Sequence, residues 1–401
     1  MSQADTARAR AEDVARAAYG KLIAILAARS GDIAAAEDAL ADAFVAALRT
    51  WPERGIPEKP QAWLLTVARN RRVDRARRDA KLVITDEVPE MADVVEDDAD
   101  VDERLSLMFV CAHPALEASL HTPLMLQTVL GLDAEAIARA FLLSPTAMAQ
   151  RLVRAKRKIK AARIPFVVPD RDQFGPRMGA VREAVYGAYA SDWLGGAGAL
   201  AHEAYYLSTM LADLARDDPE ALGLTALIGF IEARRDARIE GGMLIPVPEQ
   251  DTALWDQGLI DRAAHSLTAA SRIGKIGRFQ LEAAIQAVHA ARAVTGRTDW
   301  RALSQLYAGL NAQFPTIGGA VSQAAAVAED AGPAAGLAML NRIEADDIGR
   351  FQPAHAVRAH CLARLRRYGE AAEAYTRAID LCTHPPSRRW LERKRALLVA
   401  S

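Results

Sequence analysis

Ser144-Pro145-Thr146-Ala147-Met148-Ala149-Gln150-Arg151-Leu152-Val153-Arg154-Ala155-Lys156-Arg157-Lys158-Ile159-Lys160 is the stretch whose reading decides the first half of this chain. Ser144 is of the residue class that caps free helical N–H groups. Pro145 suits the first helical position, where its missing donor is not needed. Met148, Leu152, Ala155 and Ile159 recur at helical spacing and predict one narrow inward stripe. Thr146, Gln150, Arg151, Arg154 and Lys158 fall on other faces. From Arg151 to Arg163 there are seven basic residues and no acidic one. Such a face fits a helix lying against phosphates better than one inside a core.

The residues upstream sharpen the reading. Asp133 can cap a short helix, Ala134 to Phe141, with Ile137 and Phe141 facing inward. Leu142-Leu143-Ser144 then supplies a turn of a few residues. Helix, tight turn and basic second helix form the helix-turn-helix layout, in which the second helix enters the DNA major groove. The plainer alternative is an ordinary helix pair with a solvated basic face.

The chain has 401 residues, enough for two to four domains. Charged residues make up 25% and apolar residues 51%, ordinary for a soluble globular protein. The net charge of −1 conceals an asymmetry: Arg69 to Arg78 holds six arginines against one aspartate, and Asp86 to Glu103 holds ten acidic residues and no basic one. Blocks of this kind separate basic binding faces from an acidic linker. Cys111, Cys361 and Cys382 are too few and too scattered for a disulfide framework, which fits a reducing cytoplasm. The first residues have no apolar core of signal-peptide length, and no apolar run reaches membrane-spanning length. The expectation is a soluble cytoplasmic protein with no membrane partner.

In chain order, residues 4 to 29 read as an amphipathic helix with Val14, Ala18, Leu22, Ile25 and Leu26 inward. Gly31-Asp32 breaks it. Asp32 to Thr50 is the next helix, with Ala36, Leu40, Phe44, Ala47 and Leu48 inward. Trp51 to Pro60, with two internal prolines and a glycine, predicts a non-helical loop. Gln61 to Ala80 is a third helix, with Trp63, Leu64, Val67 and Val73 inside and the arginines largely outside. Six like charges in ten residues repel one another unless a polyanion is bound, so this arginine cluster points to single-stranded nucleic acid. Trp51 and Trp63, taken alone, read as core aromatics. The domains expected are 1–80, an acidic linker 81–103, 104–163 and 164–401. The linker would either solubilise the chain or lie against its basic helices.

Glu37 to Phe44, then Trp63 to Asn70, then Val73 to Arg78 resemble the promoter-melting domain of extracytoplasmic-function sigma factors. Ala136 to Phe141 through Arg151 to Lys156 resembles the −35-reading domain of the same family, and together the matches cover about residues 5 to 163. The resemblance implies that Glu37, Asp38, Asp42, Phe44 and Leu48 dock on core RNA polymerase. It implies that Trp51, Arg54, Trp63, Arg69, Asn70, Arg72 and Arg75 hold the melted −10 strand. Ser144, Thr146, Gln150, Arg151, Arg154 and Lys158 would serve the −35 duplex of the promoter DNA, with Arg151 and Arg154 on base edges or on phosphates. Ala136 departs from the acidic residue the family often has there.

Cys111-Ala112-His113-Pro114 offers two soft ligands with no second pair nearby, a poor zinc site, and burial is the preferred reading. No metal and no cofactor are expected. Past Ile164-Pro165-Phe166-Val167-Val168-Pro169 the chain is alanine-rich and helical almost to its end, broken at Gly195-Gly196, Asp218-Pro219, Gly241-Gly242, Gly296, Pro315, Gly332-Pro333 and Pro385-Pro386. Ala354 to Leu381 resembles a tetratricopeptide repeat in Leu362, Leu365, Tyr368-Gly369, Ala371-Ala372, Tyr375, Ala378 and Ile379. Ala221 to Ala233 and Gln280 to Arg292 read as degenerate repeats, and Gly241 to Pro248 as a small hairpin or lid. A subgroup of extended sigma factors carries such a domain, often with an aromatic-Asn-Glu-Gly-Tyr segment. Here Tyr186-Gly187-Ala188-Tyr189 lacks that core.

The fold expected is therefore all-α: two small helical domains, the second a helix-turn-helix, and a tetratricopeptide-like helical-repeat domain. The function expected is an alternative sigma factor whose carboxy-terminal domain regulates it through a protein partner or small ligand. The alternatives are a repeat-type interaction scaffold and a duplex-binding regulator. Enzyme readings lack a motif: there is no phosphate-binding glycine loop, no His-Glu-x-x-His and no Gly-x-Ser-x-Gly.

Overall fold

The computed structural model describes residues 3–79, 102–193, 198–343 and 348–399, with the backbone alone at 3, 16, 17, 72–79, 193, 199 and 399. The expected linker, 81–103, lies almost wholly outside the described residues, as does the Gly195-Gly196 break. The architecture is all-α; its one sheet, among the described residues, is a two-stranded hairpin. No described helix is long and apolar enough to cross a membrane. The chain divides into two compact units, residues 1–207 and 208–401.

The first unit begins with three helices, α1 (Gln3–Ser30), α2 (Ile33–Arg54) and α3 (Pro60–Asp79). Val14, Ala18, Leu22, Ile25 and Leu26 of α1 are buried, as the periodicity predicts. Gly31 takes a left-handed φ of 63°, and the Asp32 carboxylate accepts the Ala35 N–H at 3.1 Å, restarting the chain as α2. The loop expected from Trp51 onward starts later, because α2 continues through Pro52 to Arg54. Pro52 sits in the last turn, so it removes a single backbone bond, and Trp51, 2% exposed, anchors that turn in the core. Gly55 closes the helix with its N–H on the Trp51 carbonyl at 3.1 Å and a φ of 86°.

Next come α4 (Glu103–Cys111), α5 (His121–Thr128), α6 (Ala134–Ala140) and α7 (Pro145–Ala161). Asp102, Asp133 and Ser144 each cap the helix that follows through a side-chain oxygen. Ile137 is buried, but Phe141 is 38% exposed, contrary to the expectation for it. The helix ends at Ala140, so Phe141 is its cap and no longer follows the helical phase. Cys111 lies fully buried against Thr128 Oγ1 at 3.5 Å, and burial pushes its thiol up to about 12.

The helices α8 (Phe174–Trp193) and α9 (Ala199–Leu214) follow. Phe174 stacks on Phe109 with centroids 5.3 Å apart, and Arg177 Nη1 donates to the Phe109 carbonyl at 3.5 Å. The boundary expected at residue 164 thus falls inside the first unit.

The second unit contains α10 (Pro219–Glu232), the strands β1 (Ile239–Glu240) and β2 (Met243–Leu244), then α11 (Gln257–Arg272), α12 (Arg278–Ala290), α13 (Arg292–Thr295), α14 (Trp300–Gln313), α15 (Ile317–Asp330), α16 (Pro333–Leu340), α17 (Gln352–Arg364), α18 (Tyr368–Leu381) and α19 (Pro385–Val399). The hairpin falls where the glycines predict it: Gly241 and Gly242 supply the two positive φ values, 56° and 75°, that a two-residue turn requires. Neighbouring helices pack in chain order and share small local cores. Ile285, Leu303, Leu310 and Ala326 form one; Val321, Ala324, Leu340, Ile348 and Ala354 form the next. In the pair α17 and α18, Leu362, Ala371, Tyr375, Ala378 and Ile379 are buried together. Tyr368, expected to fill a gap there, opens α18 and is 37% exposed.

One close approach joins the two halves of the first unit. A Cβ added at Gly20 of α1 would stand 1.7 Å from the carbonyl oxygen of Val129, just past α5. Gly20→Ala is expected to destabilise the chain by about 3 kcal/mol, since backbone must move to admit the methyl group. Gly179→Ala, with open space around it in α8, is expected to stabilise by about 0.5 kcal/mol. Chemical denaturation of the two variants checks both signs.

Candidate nucleic-acid interface

The buried residues of α7 are Met148, Leu152, Ala155, Lys156 and Ile159, the predicted stripe plus one lysine. That stripe fixes the rotation of the helix. Ser144, Thr146, Gln150, Arg154 and Lys158 are accordingly exposed. The Ser144 hydroxyl is committed to the cap, accepting the Ala147 N–H at 3.2 Å. Arg151 is less available than its neighbours. Its Nη2 donates to Glu117 Oε1 at 3.0 Å and to Ser119 Oγ at 2.7 Å. The Arg154 Nε–H reaches back to the Gln150 carbonyl at 3.4 Å. What α7 offers outward is a mainly polar and cationic surface, interrupted by the exposed Val153, on a capped helix, with Gln150 and Arg154 able to reach base edges or phosphates.

A second surface lies on α3. Trp63 is half-buried, with Trp51 edge-on to it at 5.6 Å between centroids and 63° between planes. Trp51 itself, at 2% exposure, is a core aromatic, and no face of its ring is open to a base. Arg54 and Asn70 are exposed and Arg69 is half-buried. Arg72 and Arg75 lie on α3, but their side chains lie outside the described residues.

The outer face of α2 carries Asp38, Asp42 and Leu48, all exposed, beside the half-buried Phe44. Leu48 was expected inward, and its 46% exposure corrects that reading. Ala43, Ala46 and Ala47 take the core positions, which turns Leu48 out. Val45, 48% exposed, belongs to the same face and was missed by sequence reasoning. Its signal was an apolar residue off the core phase, beside two aspartates.

Glu37 has a different situation. Lys156 of α7 is 7% exposed, and its Nζ lies 2.5 and 2.7 Å from the two Glu37 oxygens. Lys160 pairs with Asp32 at 2.6 Å. Burial pushes the Asp32 carboxyl up, but the Lys160 hydrogen bond and the Ala35 N–H outweigh it and hold the group below the usual carboxylate range. Two ion pairs therefore clasp α7 onto α2. A second knot holds Asp102, Arg104 and α9 together: Arg104 is buried between the carboxylates of Asp102 and Glu203 and lies 4.8 Å over the Tyr206 ring. Neither the clasp nor the knot was legible in sequence, because each joins residues about 100 or more apart.

The chain is similar to known proteins in three respects. Residues 14–82 match the family described as sigma-70 region 2. Residues 177–271 match a family of unknown function, DUF6596. The uncharacterized protein R00370 of Rhizobium meliloti (strain 1021) is 36% identical over 366 residues, spanning 87% of this chain and 86% of the relative. No solved structure matches.

Lys156→Met leaves the Glu37 carboxylate unpaired in a site mostly closed to water. It is expected to cost about 2 kcal/mol, below the figure for a fully buried pair because Glu37 keeps some exposure. Adding Glu37→Gln is expected to recover most of that loss, while Lys158→Ala on the exposed face leaves stability unchanged. A double-mutant cycle by chemical denaturation reads the coupling.

Proposed function

Because the chain belongs to the sigma-70 family and acts as a sigma factor in transcription initiation, with core RNA polymerase and promoter DNA as partners, we propose a division of labour among its surfaces. The outer face of α2, with Asp38, Asp42, Phe44, Val45 and Leu48, docks on core polymerase. Exposed apolar side chains flanked by carboxylates suit a protein partner better than a nucleic acid. Arg54, Trp63, Arg69, Asn70, Arg72 and Arg75 hold the melted −10 strand, with Trp51 bracing Trp63 from behind. Thr146, Gln150, Arg154 and Lys158 contact the −35 duplex, and Ser144 sets the helix that presents them. Arg151 joins them when it leaves Glu117 and Ser119 for a phosphate.

The observation that carries this reading is the face of α7. Its apolar stripe is fully used by the core, its start is capped, and apart from Val153 the long side chains turned outward are polar or cationic. A helix with that profile beside a region 2 match supports a second promoter contact. Membership of the extracytoplasmic-function group, with a carboxy-terminal regulatory domain, is part of the same proposal.

The clasp adds a step. Glu37 lies on the polymerase-docking helix and is engaged by the DNA-reading helix. The form with both ion pairs made is the closed form. Release of Lys156 frees Glu37, which the sequence resemblance assigns to the polymerase contact.

Run-off transcription with purified core polymerase tests the proposal. The full chain is expected to direct initiation from a specific start site; no start site under any condition would reject it. Replacing Arg69, Asn70 and Arg72 with alanine is expected to abolish open-complex formation while leaving −35 contacts in footprints. A chain ending at Asp217 retains α8 and α9, and its run-off yield is expected to differ severalfold from that of the full chain. Equal yields would remove the regulatory role.

A further inference from the structure

In the second unit several buried polar atoms lack partners among the described residues, and they gather where α10, the hairpin and α12 are joined by loops. Trp255, 6% exposed, buries an Nε1–H that nothing accepts. Gln250, 5% exposed, donates through Nε2 to the Ile245 carbonyl at 2.9 Å, which leaves its Oε1 buried without a donor. Arg292 crosses the Trp255 ring with Cζ 5.0 Å from the centroid. Its Nη2 donates to the carbonyls of Val247, at 3.0 Å, and Gln250, yet its Nε is buried with no acceptor. No carboxylate pairs with Arg292 among the described residues. His289, at the end of α12, buries Nδ1 without a partner. Arg234 lies over the same indole at 5.8 Å and donates to Gln286 Oε1.

Folded chains rarely strand so many buried polar atoms in one place. Charge decides what fills this one. Two guanidinium groups share one ring, and burial together with those two arginines pushes His289 down to about 4, so its imidazole is neutral. A metal cation would be repelled, and an apolar molecule would leave every orphan atom unanswered. The atoms present are donors at Arg292 Nε and Trp255 Nε1, a donor at His289 Nδ1 in the matching tautomer, and one acceptor at Gln250 Oε1. An oxyanion that retains a proton complements that set. Hydrogen phosphate and phosphomonoesters do so near neutral pH; sulfate has no O–H to give Gln250.

We propose that Arg292, Trp255, His289 and Gln250 form a binding site for a phosphate group, free or carried as a monoester. The site is built within the second unit and does not depend on how that unit affects initiation.

Calorimetric titration of the full chain with inorganic phosphate, glycerol 3-phosphate and sulfate, at fixed ionic strength, tests it. Saturable binding of at least one phosphate, tighter than sulfate, is expected. The better of the two identifies the free or the esterified form as the natural occupant. Arg292→Gln is expected to weaken binding by roughly tenfold or more. Trp255→Phe keeps the ring, removes the donor and also weakens binding. Gln250→Leu is expected to erase the preference over sulfate. Arg292 also braces the loop at Val247, so the tryptophan and glutamine variants carry the test if the arginine variant does not fold. Heat no greater than a chloride control with either phosphate, or unchanged affinity in Trp255→Phe and Gln250→Leu, overturns the proposal.

Discussion

A lysine that is 7% exposed has to meet a negative charge or give up its own, and Lys156 meets Glu37. That one requirement orders much of the first unit. It sets α7 against α2, brings Lys160 to Asp32, and fixes which side of α7 remains open. The close packing of Gly20 against Val129 and of Phe174 against Phe109 closes the same body from other directions. Apolar burial supplies cohesion, but it is indifferent to small rotations. The ion pairs are not, since a buried charge displaced from its partner loses both solvent and counterion.

What could be read from the sequence was local. The stripe Met148, Leu152, Ala155, Ile159 follows from helical phase, and the caps at Asp32, Asp133 and Ser144 follow from residue type and the run behind them. The Gly241-Gly242 turn follows from the only residue that takes two positive φ values at no steric cost. The failures are local rules overruled by tertiary packing. Pro52 stays helical because Trp51 is held in the core beside it, and Phe141 leaves the core because its helix stops one residue early. Of the candidate site, exposure on α7 was legible and the commitment of Arg151 to Glu117 was not, because that partner sits 34 residues away.

Arginine has three distinct uses in this chain. Arg104 is buried and neutralised by carboxylates on two sides. Arg154 is exposed, leaning on a backbone carbonyl of its own helix and acting on Glu117 through its charge. Arg292 is packed on an indole and holds a loop through carbonyls, with no acid paired to it among the described residues. The guanidinium is the same in each. Its surroundings decide whether it serves as structure, as an outward contact, or as an unfilled demand for negative charge.

The proposed docking of α2 on core polymerase has a thermodynamic corollary at Glu37, which Lys156 already holds. If the enzyme that α2 engages competes with Lys156 for that carboxylate, then enzyme binding and release of α7 are linked, and linkage is reciprocal. Whatever factor the released helix adds to affinity for the enzyme, the bound enzyme must add to the readiness of that helix for duplex. A cognate promoter would then act as an effector of assembly as well as its destination, strengthening the grip of the very machine that is brought to it.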